Sequence, residues 1–341
     1  MSIRARNSRP SKGEVVVVTG ATSGVGRAVA IRFARDGANV ALLARGEAGL
    51  RAAAADAERE GGKALAVPTD VSEYDQVEAA ARATEERFGP IDVWVNDAMT
   101  TVFAFLADIE PDEYEQATRV CYLGAVWGTK VALSRMLARD HGTIMQVGSA
   151  LAYRGIPLQA PYCGAKHAIK GMTDSLRSEL RAARSRVHVS MVQLPAVNTP
   201  QFDHCRSKFS RHPQPVPPIY QPEVAADAIH WAVRHRRREL WVGFPTVATI
   251  LADRLAASLV DRYLGRTGVQ SQLVDRPANA ENRMGNLFEP APGDPGAHGS
   301  FDARAHAHSP QQAFARHRGA SLALGGALLG AAAAGRYVRS C

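Results

Sequence analysis

Residues 15–26 read VVVVTGATSGVG. Four valines in a row suit a strand buried on both faces, because a strand covered on one face alternates apolar with polar residues. Beyond the last valine, glycines stand at positions 20, 24 and 26, and Arg27 to Asp36 has helical spacing that stops near Gly37. A glycine-rich turn lets the backbone approach a ligand closely. The helix it opens offers free N–H groups to a pyrophosphate. A glycine trio alone says little; between a buried strand and a helix it reads as a phosphate cradle. Its candidate residues are Thr19, Gly20, Ser23, Gly24, Val25 and Gly26.

The same alternation continues outward. Strands are expected at Val40–Ala44, Ala64–Val67, Ile91–Val95, Gly142–Val147, Val187–Gln193 and Leu240–Val242. Helices are expected at Arg51–Glu60, Asp75–Phe88, Asp112–Arg139, Ala160–Arg184 and Glu223–Arg234. Regular βαβ order means an α/β fold, a parallel sheet with helices on both faces. No internal repeat of fixed period is visible.

The chain has 341 residues, enough for a substantial core, and a formal charge of +8. Nucleic acid is not the expected partner, because the arginines are scattered and no aromatic-basic interleaving occurs. The dense cluster Arg234–His235–Arg236–Arg237–Arg238 reads as a solvated helix end, where cations suit the macrodipole. Four cysteines, Cys121, Cys163, Cys205 and Cys341, show no metal-ligand spacing and read as free thiols in a reducing cytoplasm. Residues 1–13 are basic without an apolar signal core and read as a disordered lead. The catalytic domain is expected over 14–265, and a loop-rich or disordered extension over 266–315. The tail 316–341 contains GASLALGGALLGAAAAG at 319–335. As a helix it would span roughly 25 Å, short of the ~30 Å hydrocarbon core. It reads as an interfacial or membrane anchor, as a helix packing on protein, or as having no fixed structure.

Where the second strand ends, a carboxylate would accept the 2′-hydroxyl of NAD. This chain has Ala44-Arg45 instead. A guanidinium suits a 2′-phosphate, so NADP(H) is expected in preference to NAD(H). Asp70-Val71 follows the third strand, where a short acid can hold the adenine amino group or cap a helix. A second cluster lies in VGSALAYRGIPLQAPYCGAKH, residues 147–167. Tyr162 and Lys166 are four apart on an expected helix and share a face. An ammonium there is expected to lower the phenol's pKa from about 10. Ser149 ends the fifth strand, where open α/β sheets bind ligands.

These residues resemble the short-chain dehydrogenase/reductase family in its compact branch. The resemblance covers roughly residues 14 to 245. It rests on TGATSGVG at 19–26, Asp70-Val71, VNDA at 95–98, Ser149 with Tyr162-Cys-Gly-Ala-Lys166, and LPAVNTP at 194–200. It implies one Rossmann-type, doubly wound domain, here with a C-terminal extension. It also implies hydride transfer from a nicotinamide and a homodimer or homotetramer. Under it Tyr162 is the acid/base, Lys166 binds the nicotinamide ribose and tunes the tyrosine, and Ser149 orients the substrate oxygen. Asn96 and Ala98 line the cofactor, and Val197 and Thr199 contact the nicotinamide amide.

Two positions depart from the family pattern. Met99 stands where a glycine is usual, and Cys121 where the family carries an asparagine that helps hold a proton-relay water. A thiol is a weak donor and acceptor. The lid expected over Gln201–Gln221 is proline-rich, with Phe202, Phe209 and Tyr220 suggesting an apolar pocket. Arg206, Lys208 and Arg211 are expected to face water or an acidic substrate. The resulting expectation is an NADP-dependent oxidoreductase interconverting a carbonyl and a secondary alcohol. The alternative is a catalytically weak nucleotide sensor or scaffold on the same fold.

Overall fold

The structure, a computed structural model, describes residues 12–316. The four valines form strand β1 (Val15–Thr19), each at most 3% exposed. The other sheet strands are β2 (Asn39–Ala44), β3 (Lys63–Pro68), β4 (Val93–Asn96), β5 (Thr143–Ser149), β6 (His188–Leu194) and β7 (Glu239–Trp241). All pair in parallel, in the order β7-β6-β5-β4-β1-β2-β3. The helices are α1 (Gly24–Ala34), α2 (Glu47–Arg59), α3 (Tyr74–Phe88), α4 (Pro111–Thr118), α5 (Gly124–Ala138), α6 (Ala160–Ala182), α7 (Pro222–Arg234), α8 (Phe244–Thr267) and, last among those used below, α9 (Pro310–Arg316).

Strand side chains alternate between two cores. Val16 and Val18 pack with Val29 and Phe33 of α1, Leu50 of α2 and Ile229 of α7. Val15 and Val17 pack with Val77 of α3, Met136 of α5 and Leu180 of α6. Each fully buried valine contributes roughly 1.5–3 kcal/mol, which is why a four-valine run demands cover on both faces. This is the Rossmann-type doubly wound architecture. Its strand order reverses between β1 and β4, and the crevice at their carboxyl ends is where such sheets bind ligands.

The stretch expected as one helix over Asp112–Arg139 is broken. A π-turn, Arg119–Leu123, separates α4 from α5. Gly124 follows it, where a Cβ would stand 2.7 Å from Val71 Cγ2. Helix α8 has no counterpart in the expected elements and runs past the boundary set at 265. It has a non-helical residue at Ala256.

Residues 266–315 wrap across the crevice. Two short strands in this stretch pair with the lid: Leu273–Pro277 runs antiparallel to Arg211–Pro213, and Ala305–His306 parallel to Ile219–Tyr220. The basic lid residues do not face water alone. Arg206 and Lys208 both pair with Glu113, which is 1% exposed. Arg211 donates to Gln270 at 2.7 Å. In the 234–238 cluster, Arg234 pairs with Glu14 at 2.7 Å and Arg238 with Asp174 at 2.8 Å, while Arg237 lies over the Trp231 ring. Cys121 and Cys163 are free thiols, and both are buried, as is Cys205. Among the described residues no helix is long and apolar enough to cross a membrane. The 319–335 segment, Cys341 and residues 1–11 of the expected lead lie outside the described residues.

Candidate active site

One cavity of about 610 Å³ opens at the carboxyl ends of β1, β4 and β5. Its floor is the cradle. Gly20 has φ +71°, and a Cβ there would lie 2.8 Å from Ala98 Cα. A Cβ on Gly26 would lie 2.4 Å from the Gly20 carbonyl oxygen. No side chain fits at either position, so the turn can hug a ligand and α1 can pack on β1. Gly20, Ser23, Gly24 and Val25 line the cavity. Thr199 sits against Gly24, with Cγ2 3.0 Å from where a Cβ would be.

Thr19, Gly26 and Asn96 are outside the lining and act behind it. The Thr19 hydroxyl donates to the Val95 carbonyl and accepts from the amides of Asp97 (3.0 Å) and Ala98 (3.1 Å), which latches β1 to the loop after β4. Asn96 is 6% exposed and spends its amide on the sheet. Its Oδ1 accepts from Trp94 at 2.8 Å, and its Nδ2 donates to Thr129 and Gln146 at 3.1 Å each. Every polar atom of the Asn96 side chain has a buried partner, so that side chain braces β4.

Ala98, Val71, Val197 and Thr199 line the cavity, as do Arg45 and Asp70. Asp70 serves two ends: its Oδ1 accepts from the Ser72 amide and hydroxyl at 2.9 and 2.8 Å, ordering the turn into α3. Arg45 is half-buried, and its terminal nitrogens donate to the carbonyls of Asn286, Leu287, Phe288 and Glu289. Among the described residues it forms no salt bridge. Burial in this carbonyl nest pulls its pKa below the usual arginine value.

Ser149, Tyr162 and Lys166 meet in the same cavity. Ser149 is 8% exposed at the end of β5; its Oγ accepts from the Leu151 amide at 3.1 Å, and its hydroxyl favours the ionised form of the Tyr162 phenol. Lys166, one helical turn after Tyr162 on α6, places Nζ 5.4 Å from the phenol ring centroid and donates to the Val147 carbonyl at 2.6 Å. The expected lowering of the Tyr162 pKa is corrected. Burial outweighs the other influences and raises it well above the usual phenol value; the Ser149 hydroxyl works the other way, while Cys121, Cys163 and Asp97 add to the rise. Burial also lowers the pKa of Lys166, which is 4% exposed.

Two residues carry unexpected roles. Asp97 lines the cavity; burial lifts its pKa to about 7, against the pull of Lys166 and of the Gly26 backbone. A carboxylate directly after a buried strand was the available signal. Cys121 is tied up: its thiol donates to the Thr100 carbonyl at 3.0 Å and accepts from the Thr100 amide at 3.2 Å. It pins the loop carrying Ala98 and Met99, and Met99 faces the cavity.

A family profile for short chain dehydrogenase matches residues 14–209. The chain belongs to the short-chain dehydrogenase/reductase family. It is therefore placed among oxidoreductases. An uncharacterized oxidoreductase, YxnA of Bacillus subtilis, is 32% identical over 270 residues, covering 79% of this chain and 76% of the relative. A 3-dehydrosphinganine reductase of Danio rerio is 31% identical over 56% of this chain and 58% of its own length. A short-chain dehydrogenase/reductase from Burkholderia phymatum, solved in complex with NAD, superposes with a TM-score of 0.65 at 25% identity, covering 74% of this chain and 95% of the neighbour.

The family member's cavity continues past Ser149 toward an apolar end lined by Leu151, Ile156, Phe202, Val216, Val260 and Leu264. Phe202 faces it, whereas Phe209 packs on Phe105 and Tyr220 packs beside His306. Residues missed in the sequence are those of α8, whose start Pro245 marks, and of the 286–295 segment, which carries no periodic or motif signal.

Proposed function

We propose that this chain is an NADP(H)-dependent oxidoreductase that interconverts an apolar carbonyl compound and the corresponding secondary alcohol. The observation that carries the reading is the meeting of Ser149, Tyr162 and Lys166 in the same cavity as the glycine cradle, with Lys166 one turn after Tyr162. The residues fit a dinucleotide: Gly20 and Gly26 leave no room for side chains, and Arg45 is a cation with no carboxylate partner among the described residues. Gly20, Ser23, Gly24 and Val25 would hold the phosphates, and Arg45 the 2′-phosphate. Asp70 and Val71 would meet the adenine, and Ala98, Val197, Thr199, Tyr162 and Lys166 the nicotinamide half. When bound, the nicotinamide supplies or accepts a hydride.

Tyr162 exchanges the proton with the substrate oxygen. Its raised pKa keeps the phenol protonated at neutral pH, the form that donates to a carbonyl oxygen in the reductive direction. Ser149 holds the same oxygen beside the phenol. Lys166, fixed by the Val147 carbonyl, keeps a donor on the ribose side of Tyr162. The apolar far end of the cavity supports a lipophilic substrate. The proposal takes residues 14–265 as the catalytic domain, working as a homodimer or homotetramer in a reducing cytoplasm.

A panel of ketones, aldehydes and quinones tests this, with NADPH absorbance as the readout. Consumption with at least one apolar ketone is expected. Tight NADPH binding without turnover on any panel member favours the sensor reading, whose support is that Cys121 is spent on Thr100 and leaves no asparagine to hold a relay water.

A further inference from the structure

Residues 288–300 run between two buried ends, Leu287 (0% exposed) and Phe301 (5%). Between those ends the segment is largely exposed, and its anchors are groups that a bound dinucleotide also needs. The Gly24 amide, at the start of α1, donates to the Gly296 carbonyl at 3.1 Å. Asp294 pairs with Arg27, whose guanidinium is also held by Asp56 at 2.6 Å. Arg45 is gripped by the carbonyls that lead into the segment. Pro290 and Pro295 face the cavity over the α2 entry. Gly293 and Gly296 hold φ of +66° and +72° with nothing within 4 Å of a Cβ, so backbone conformation rather than packing sets the path.

The terminal nitrogens of Arg45 and the amide of Gly24 are both taken up by main-chain carbonyls of this stretch. We propose that residues 288–300 are a strap over the cofactor site: closed, it occupies the Gly24 amide and holds the Arg45 guanidinium, and cofactor enters and leaves only when it lifts between Leu287 and Phe301. The release of Arg45 to a 2′-phosphate rests on the NADP(H) reading; the control of exchange applies to either dinucleotide.

The strap can be locked. A Cβ on Gly46 lies 3.6 Å from the Pro290 Cβ, within the span a disulfide bridges. The test is stopped-flow NADPH and NADH fluorescence on Gly46→Cys/Pro290→Cys in a Cys341→Ser background, oxidised and then reduced. Oxidation is expected to slow both association and dissociation by about tenfold or more, and reductant to restore them. Asp294→Ala, which frees the strap from Arg27, is expected to speed both by roughly threefold. A cross-linked protein exchanging cofactor at the wild-type rate overturns the proposal. So does failure of the cross-link to form, because the strap then does not lie over Gly46. If the lock slows both dinucleotides but the wild type binds NADH as tightly as NADPH, the 2′-phosphate reading falls and the exchange control stands.

Discussion

The wall contributed by residues 19–199 and the wall contributed by residues 286–299 enclose one cavity by different physical means. The first is side chain and backbone locked into the sheet: Thr19 latches β1 to the loop after β4, Asn96 bonds Trp94, Thr129 and Gln146, and Lys166 is pinned to a strand carbonyl. The second is mostly backbone laid over cations, with Leu287 as its one fully buried side chain. Reacting groups need fixed positions, so they belong on the first wall. A wall that must open for a ligand can be held only by contacts that break cheaply.

The contrast makes stability predictions of unequal size. Asn96→Ala leaves Trp94 Nε1 and Gln146 Oε1 without their partner in the core and is expected to cost about 3 kcal/mol. Thermal melting should show a drop on the order of 10 °C; a fall of a degree or less would mean that the brace is redundant. Arg45→Ala touches the boundary between the walls. It is expected to weaken NADPH binding about thirtyfold, the worth of a charged hydrogen bond, and to leave NADH binding unchanged. Equal losses for both dinucleotides would assign Arg45 to the strap alone.

Asp97 gives a pH-dependent effect. Its pKa of about 7 stands above the ordinary 3.8, so the folded state keeps a proton that the unfolded chain gives up. Stability from this residue is therefore full below about pH 4 and lost as pH rises through about 7. Asp97→Asn should raise the melting temperature at pH 8 relative to pH 5 by about 3 °C. The same shift at both pH values would contradict the buried carboxyl. Smallest is Asp294→Ala: Asp294 is 45% exposed, and its loss should move the melting temperature by under about 2 °C. A large drop would make the strap a structural wall rather than a door.

The first wall is legible in the sequence because its physics is periodic or local. Val15–Val18 can only be a doubly covered strand, and Gly20, Gly24 and Gly26 mark a turn that only glycine can make. Tyr162 and Lys166 share a face because a helix repeats every 3.6 residues. What escaped depends on long-range partners. The bracing role of Asn96 depends on Trp94, Thr129 and Gln146, which only the fold brings around it. The Tyr162 pKa was misjudged because spacing reports a nearby ammonium but not the depth of burial. Helix α8 carried a usable signal, Pro245 just inside a long stretch with no other proline. The strap carried none: its bonds come from main-chain carbonyls, which every sequence has.

The most direct measurement is kcat for Tyr162→Phe beside a fluorescence titration of NADPH on the same protein. The account predicts a fall of about 10²–10⁴-fold in kcat with NADPH affinity within about threefold of wild type, because one hydroxyl carries the proton and the cradle carries the cofactor. Turnover within a few-fold of wild type would contradict it, since the proton would then reach the substrate by another route.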